Sequence, residues 1–154
     1  MPHLHRRAAL LLTVCLAIPV GPACASPNRT AALAGAALDG QALPPSGAIK
    51  SAQGLKLIKD LGTDLAILDV RTVSEFVGGH IPGALNIPVM SLEDRLNEIP
   101  PDRPMLIVCH AGKRAAKAYE TLSKTRPGMT KNGLWYLNAT TDYKTDGTYV
   151  FKDK

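Results

Sequence analysis

Two compact apolar runs, residues 65–70 (Leu-Ala-Ile-Leu-Asp-Val) and 105–109 (Met-Leu-Ile-Val-Cys), constrain this chain most. A short, near-continuous apolar run is the pattern of a strand covered on both faces, because a strand with one wet face would alternate. The segments around them have a different period. Ser51 is placed to cap a helix carrying Leu55, Leu57, Ile58 and Leu61 and closing at Gly62. Residues 72–77 form a short helical turn ended by Gly78-Gly79, and 84–89 are short and extended. Ser91-x-x-Asp94 resembles a capping box opening a helix through Ile99, which Pro100-Pro101 stops. Residues 114–125 are helix formers with Pro127-Gly128 beyond them. Residues 134–137 read as a strand and 148–151 as one more. Strands alternating with helices imply an α/β fold, a mainly parallel sheet flanked by helices on both faces.

The first 25 residues stand apart. Arg6 and Arg7 precede an apolar run over 8–20, and Ala23-Cys24-Ala25 follows the Gly21-Pro22 break. Basic, apolar and small-residue regions in that order predict a secretory signal peptide, and so a periplasmic or secreted protein. The run is too short for a stable membrane span. Gly21-Pro22-Ala23 is a poor approach to a lipidated Cys24, so lipoprotein anchoring is not expected. Residues 26–46, rich in Ala, Gly and Pro, read as a flexible leader. Residues 47–154 then form one domain, the number that 154 residues favour. Loss of residues 1–25 takes the formal charge from +5 to +3. That excess forms no concentrated basic stripe, so nucleic acid is not an expected partner.

Cys15 and Cys24 leave with residues 1–25, and Cys109 becomes the one cysteine. It ends the second apolar run, and His110, Ala111, Gly112, Lys113 and Arg114 lead from it into a helix. In parallel sheets, ligands bind beyond the carboxyl ends of the strands. A thiol there faces unpaired N–H groups and the positive end of a helix dipole. Lys113 and Arg114 add full charges, and Gly112 lets the loop curl so that its amides form an anion-binding nest. These influences favour the thiolate, which is the nucleophile, and the strand-end position predicts a partly exposed side chain. The same cradle would hold the terminal sulfur of a persulfide.

The motifs agree with a family. Residues 67–71 (Ile-Leu-Asp-Val-Arg), Glu75-Phe76, residues 79–84 (Gly-His-Ile-Pro-Gly-Ala) and Asn86-Ile87-Pro88 together resemble the N-terminal signature of rhodanese-like domains. Cys109-x-x-Gly-x-Arg114 resembles their active-site loop. The resemblance covers roughly residues 47–137. It implies a single-domain sulfurtransferase that moves sulfane sulfur from thiosulfate or a persulfide donor to a thiol or cyanide. The intermediate would be a Cys109 persulfide. The donor would be a small sulfur-containing anion, and the acceptor could be a protein thiol. Four residues separate Cys109 from Arg114, whereas phosphatases related to this fold have five. The alternatives are a sulfur-carrier or thiol-sensing module without turnover and, further off, a phosphatase or arsenate reductase on the same scaffold.

Asp69 and Arg71 resemble the family's Asp-x-Arg pair, and a supporting ion pair is expected of them rather than direct catalysis. His80 is expected to hydrogen-bond the backbone. His110 either meets the acceptor at the rim or is merely solvated. No spaced Cys or His pair suggests a metal, and no cofactor is implied. One departure stands out. Family members commonly carry a Gly-Gly pair leading to an aromatic-bearing helix, where this chain has residues 137–143, Leu-Asn-Ala-Thr-Thr-Asp-Tyr. The wall beside the site is therefore expected to differ in shape, which bears on acceptor specificity.

Overall fold

The structure, a computed structural model, describes residues 37–38 and 41–154. The signal-peptide reading of residues 1–25, like most of the 26–46 leader, lies outside the described residues. A small antiparallel pair, β1 (Ala37–Leu38) and β2 (Gln41–Ala42), comes first. Five strands then form one sheet: β3 (Gly47–Ile49), β4 (Ala66–Asp69), β5 (Leu85–Asn86), β6 (Met105–Val108) and β7 (Leu134–Leu137). Their spatial order is β3-β7-β6-β4-β5, and every pairing is parallel.

The two apolar runs become β4 and β6, near the middle of the sheet, where both faces need cover. Alternation along β6 sends Met105 and Ile107 into one core and Leu106 and Val108 into the other. Helices α1 (Ser51–Leu61), α2 (Val73–Val77), α3 (Lys113–Thr125) and α4 (Gly128–Asn132) complete the layers. Ala115, Ala118 and Leu122 of α3 and Met129 of α4 join the first core. Leu57 and Leu61 of α1 join the second, with Phe151 from an antiparallel hairpin of β8 (Thr140–Tyr143) and β9 (Tyr149–Lys152). Each large side chain so buried stabilises by roughly 1.5–3 kcal/mol relative to exposure. β6 carries four in succession, so its register, and with it the position of Cys109, is firmly fixed.

Two sequence expectations need correction. Lys50, not Ser51, is the N-cap of α1. Gln53 Oε1 accepts from the Lys50 N–H at 3.0 Å, and the Asp153 carboxylate accepts from the Ser51 N–H at 2.9 Å. The C-terminal tail thus brings a negative charge to the positive end of α1, and Ser51 is left buried in the first turn. The helix expected over 91–99 is replaced by 3-10 turns at Val89–Ser91 and Leu96–Glu98. This connection must run back along the sheet while burying Leu92 and Ile99. The 3-10 form rises about 2.0 Å per residue against 1.5 Å for an α-helix, so it covers more ground.

The last residues before β3 are tied to α4 and β7 by hydrogen bonds. Pro44 and Pro45 carbonyls accept from Trp135 Nε1 at 3.0 and 3.1 Å, and Ser46 Oγ donates to the Thr130 carbonyl. A buried indole N–H requires an acceptor, and the Pro-Pro segment supplies it. Residues 140–143 form a strand, and its partner β9 is the short strand expected at the tail, shifted by one residue.

Candidate active site

Cys109 follows the last residue of β6 on the α3 side, continuing the Met105–Ile107 face. Its side chain is 2% exposed. The partly exposed thiol expected from its strand-end position is therefore not found. Alternation turns Cys109 into the core beneath α3, and residues 110–112 close over the strand end. A reactant must enter that loop to reach the sulfur.

The loop is shaped by Gly112, which precedes α3 with φ 76°. A Cβ there would stand 3.1 Å from the Leu137 carbonyl oxygen and 3.2 Å from Asn138 Cα. Positive φ and close backbone approach both select glycine. Two loop carbonyls are held from outside. The Thr141 N–H donates to the His110 carbonyl at 2.8 Å, and the Tyr143 hydroxyl donates to the Cys109 carbonyl at 3.3 Å. Among the described residues, the amides of His110, Ala111 and Gly112 donate to no protein acceptor. They lead into the first turn of α3, whose own amides are unpaired along the helix. These are the amides that the sequence reading assigns to an anion-binding nest.

Lys113 and His110 are exposed. Arg114 is not free. Its Nη1 and Nη2 donate to the two Glu75 oxygens at 2.6 and 2.7 Å. Glu75 also closes a capping box with Thr72 at the start of α2. The guanidinium holds the Glu75 carboxyl down to about 2, against an ordinary 4.5. Glu75 in turn pushes the Arg114 pKa up. Arg114 thus joins α2 to α3 at the mouth of the loop.

Asp69 and Arg71 lie below, 0% and 4% exposed. Arg71 Nε reaches both Asp69 oxygens at 3.0 and 2.9 Å, and Nη2 donates to Oδ2 at 2.6 Å and to the Gly79 carbonyl at 2.7 Å. The Tyr143 ring lies over the guanidinium, 3.5 Å from its carbon to the ring centroid. The pair locks the end of β4 to the 79–83 turn and to the hairpin. His80 Nδ1 is 2.9 Å from the Phe76 carbonyl, and its ring stacks on Phe76. A cleft of about 470 Å³ opens beside the loop, lined by Arg71, Glu75, Gly79, His110, Asp142 and Tyr143. Among the described residues, no cluster of His, Cys, Asp or Glu could hold a metal ion, and no helix is long and apolar enough to cross a membrane.

With this geometry in view, the comparison with known proteins is direct. Residues 51–141 match the rhodanese-like domain. The chain belongs to the rhodanese-like domain family. An Allochromatium vinosum sulfurtransferase is 36% identical over 69 residues, 45% of this chain and 64% of that protein. The Escherichia coli thiosulfate sulfurtransferase PspE is 32% identical over 59 residues, 37% of this chain and 57% of that one. The crystal structure of reduced Bacillus anthracis CoADR-RHD matches with a TM-score of 0.50 and 26% identity, over 60% of this chain and 15% of that one. The chain spans about half the length of the curated relatives it matches.

In this rhodanese-like domain the wall beside the loop is the β8–β9 hairpin, which occupies the stretch lacking Gly-Gly. Sequence reading missed the roles of Glu75, Thr141 and Tyr143. A signal existed for Glu75 in the spacing Thr72-x-x-Glu75. One existed for the hairpin in Asp146-Gly147, a turn pair between two β-prone segments.

Proposed function

We propose that this protein is a sulfurtransferase that carries sulfane sulfur on Cys109, with thiosulfate or a persulfide as donor and a thiol or cyanide as acceptor. One observation carries this reading: Cys109 lies at a strand end under a loop whose amides at 110–112 have no acceptor among the described residues, before the N-terminus of α3. Such a site has spare donors for an anion. The relatives named for sulfur transfer support the same chemistry.

The reaction needs two displacements. The Cys109 thiolate attacks the outer sulfur of thiosulfate, a new S–S bond forms, and the old S–S bond breaks with its electron pair leaving on sulfite. Sulfite is already a stable anion, so the departure requires no proton. The persulfide's terminal sulfur then rests against the loop amides. A thiolate or cyanide attacks that sulfur, and the bonding pair returns to Cys109. This is covalent catalysis with a double-displacement pattern. Steady-state rates against thiosulfate at several cyanide concentrations test it: parallel reciprocal lines are expected, and converging lines would count against a free persulfide enzyme.

The burial of Cys109 favours a second reading, a sulfur carrier that unloads only to one docked partner. It differs in a measurable way: loading would proceed while cyanide turnover stayed absent. For residues 1–25 we propose export with cleavage after Ala25. Terminal sequencing of protein from its native host should find Ser26 first, and retention of Met1 on soluble protein would reject it.

A further inference from the structure

Two carbonyls of the Cys109 loop are held by the same strand. β8 supplies the Thr141 N–H to the His110 carbonyl at 2.8 Å and the Tyr143 hydroxyl to the Cys109 carbonyl at 3.3 Å. Trans peptide units are planar, and their N–H and C=O point in opposite directions. No cis peptide bond occurs among the described residues. Turning the Cys109 carbonyl toward the hairpin therefore turns the His110 N–H away from it. Turning the His110 carbonyl does the same to the Ala111 N–H. Neither amide meets an acceptor among the described residues.

Tyr143 is itself rigidly held. Its ring lies on the Arg71 guanidinium, which Asp69 and the Gly79 carbonyl hold from the far side. Across the hairpin it is paired with Tyr149. Burial pushes the pKa of its hydroxyl up, so the hydroxyl stays protonated and remains a donor.

We infer that Tyr143 is a positioning residue: through the Cys109 carbonyl it sets the direction in which the loop presents its amides to an anion. This deepens the sulfurtransferase reading and rests on it for its biological meaning, but anion binding can be measured without sulfur transfer. Tyr143 lies in the stretch, residues 137–143, that lacks the Gly-Gly pair expected from the resemblance.

The test uses sulfate as the probe, on the full chain. Cys109 is alkylated by neutral iodoacetamide, and increasing sulfate should slow alkylation by filling the nest. Tyr143→Phe keeps the ring over Arg71 and deletes only the hydroxyl. We expect it to raise the sulfate concentration needed for half protection, measured against the variant's own sulfate-free alkylation rate, about threefold, the worth of one long hydrogen bond. Tyr149→Phe, the same deletion on the opposite strand, should leave protection as in the parent protein. Equal protection in a folded Tyr143→Phe protein would overturn the inference. So would the absence of sulfate protection in the parent, or an equal loss in Tyr149→Phe. Persulfide formation from thiosulfate in the parent is scored separately, so failure of the enzymatic reading and failure of the positioning role give different results.

Discussion

Glu75 and Arg114 meet in a two-pronged ion pair, 2.6 and 2.7 Å, that bridges the N-terminal turn of α2 to the first turn of α3. The pair stands at the mouth of the Cys109 loop, where the charge of Arg114 is offset by its partner. Truncating Arg114 therefore does more than remove a cation. It leaves the Glu75 carboxylate, which lines the cleft beside the loop, without its partner.

For Arg114→Ala we expect thiosulfate loading of Cys109 to slow by about tenfold, equivalent to about 1.4 kcal/mol. Adding Glu75→Gln to that variant should recover part of the loss, because the repelling charge is gone. Rapid-quench mass measurement of the loaded fraction checks both. Unchanged loading in folded Arg114→Ala would remove this residue from the donor's path.

The same pair has a pH signature. The folded-state pKa of Glu75 lies at about 2 and the ordinary value is 4.5, so the carboxylate form is favoured by folding. Its stabilisation is fully present above about pH 4.5 and is lost as pH falls toward about 2. Both side chains are about one-third exposed (34% and 36%), so solvent screens them and the contribution near neutrality is at most about 1 kcal/mol. Urea unfolding of the parent and Glu75→Gln across this range should show a gap that closes on acidification. A gap that widens toward low pH would contradict the assignment.

Gly112 offers a structural test of the loop. Alanine there would have to adopt φ 76° and bring a methyl group to 3.1 Å from the Leu137 carbonyl oxygen. Strain of this kind costs about 1–3 kcal/mol. We expect Gly112→Ala to lower Tm by several degrees and to load sulfur more slowly than any loss of folded protein explains. Thermal unfolding alongside loading kinetics separates the two effects, and a variant with parent-like Tm and loading would show that the loop tolerates a Cβ.

The layers of this fold were legible because β4 and β6 are buried on both faces and their apolar runs are nearly continuous. The position of Cys109 followed from the end of one such run. Its burial did not, since that depends on which side of β6 faces α3 and on how tightly Gly112 packs against Leu137 and Asn138. The 91–99 segment misled because Ser91 and Asp94 have cap-like spacing, whereas the long return path favoured 3-10 turns. The Ser51 cap failed because Asp153, about one hundred residues later, reaches the same helix terminus. Tyr143 could not be placed from local sequence at all: its partners Arg71 and Cys109 are brought to it by the sheet and the hairpin.

The central claim is a covalent intermediate on one sulfur, and intact mass tests it most directly. Purified protein, reduced and then exposed to thiosulfate, should gain the mass of one sulfur atom, mapped to Cys109 by peptide analysis. Cyanide should remove that mass, and Cys109→Ser should never acquire it. If thiosulfate and other sulfane donors leave the mass unchanged while Cys109 remains reduced and open to alkylation, the sulfurtransferase account is contradicted.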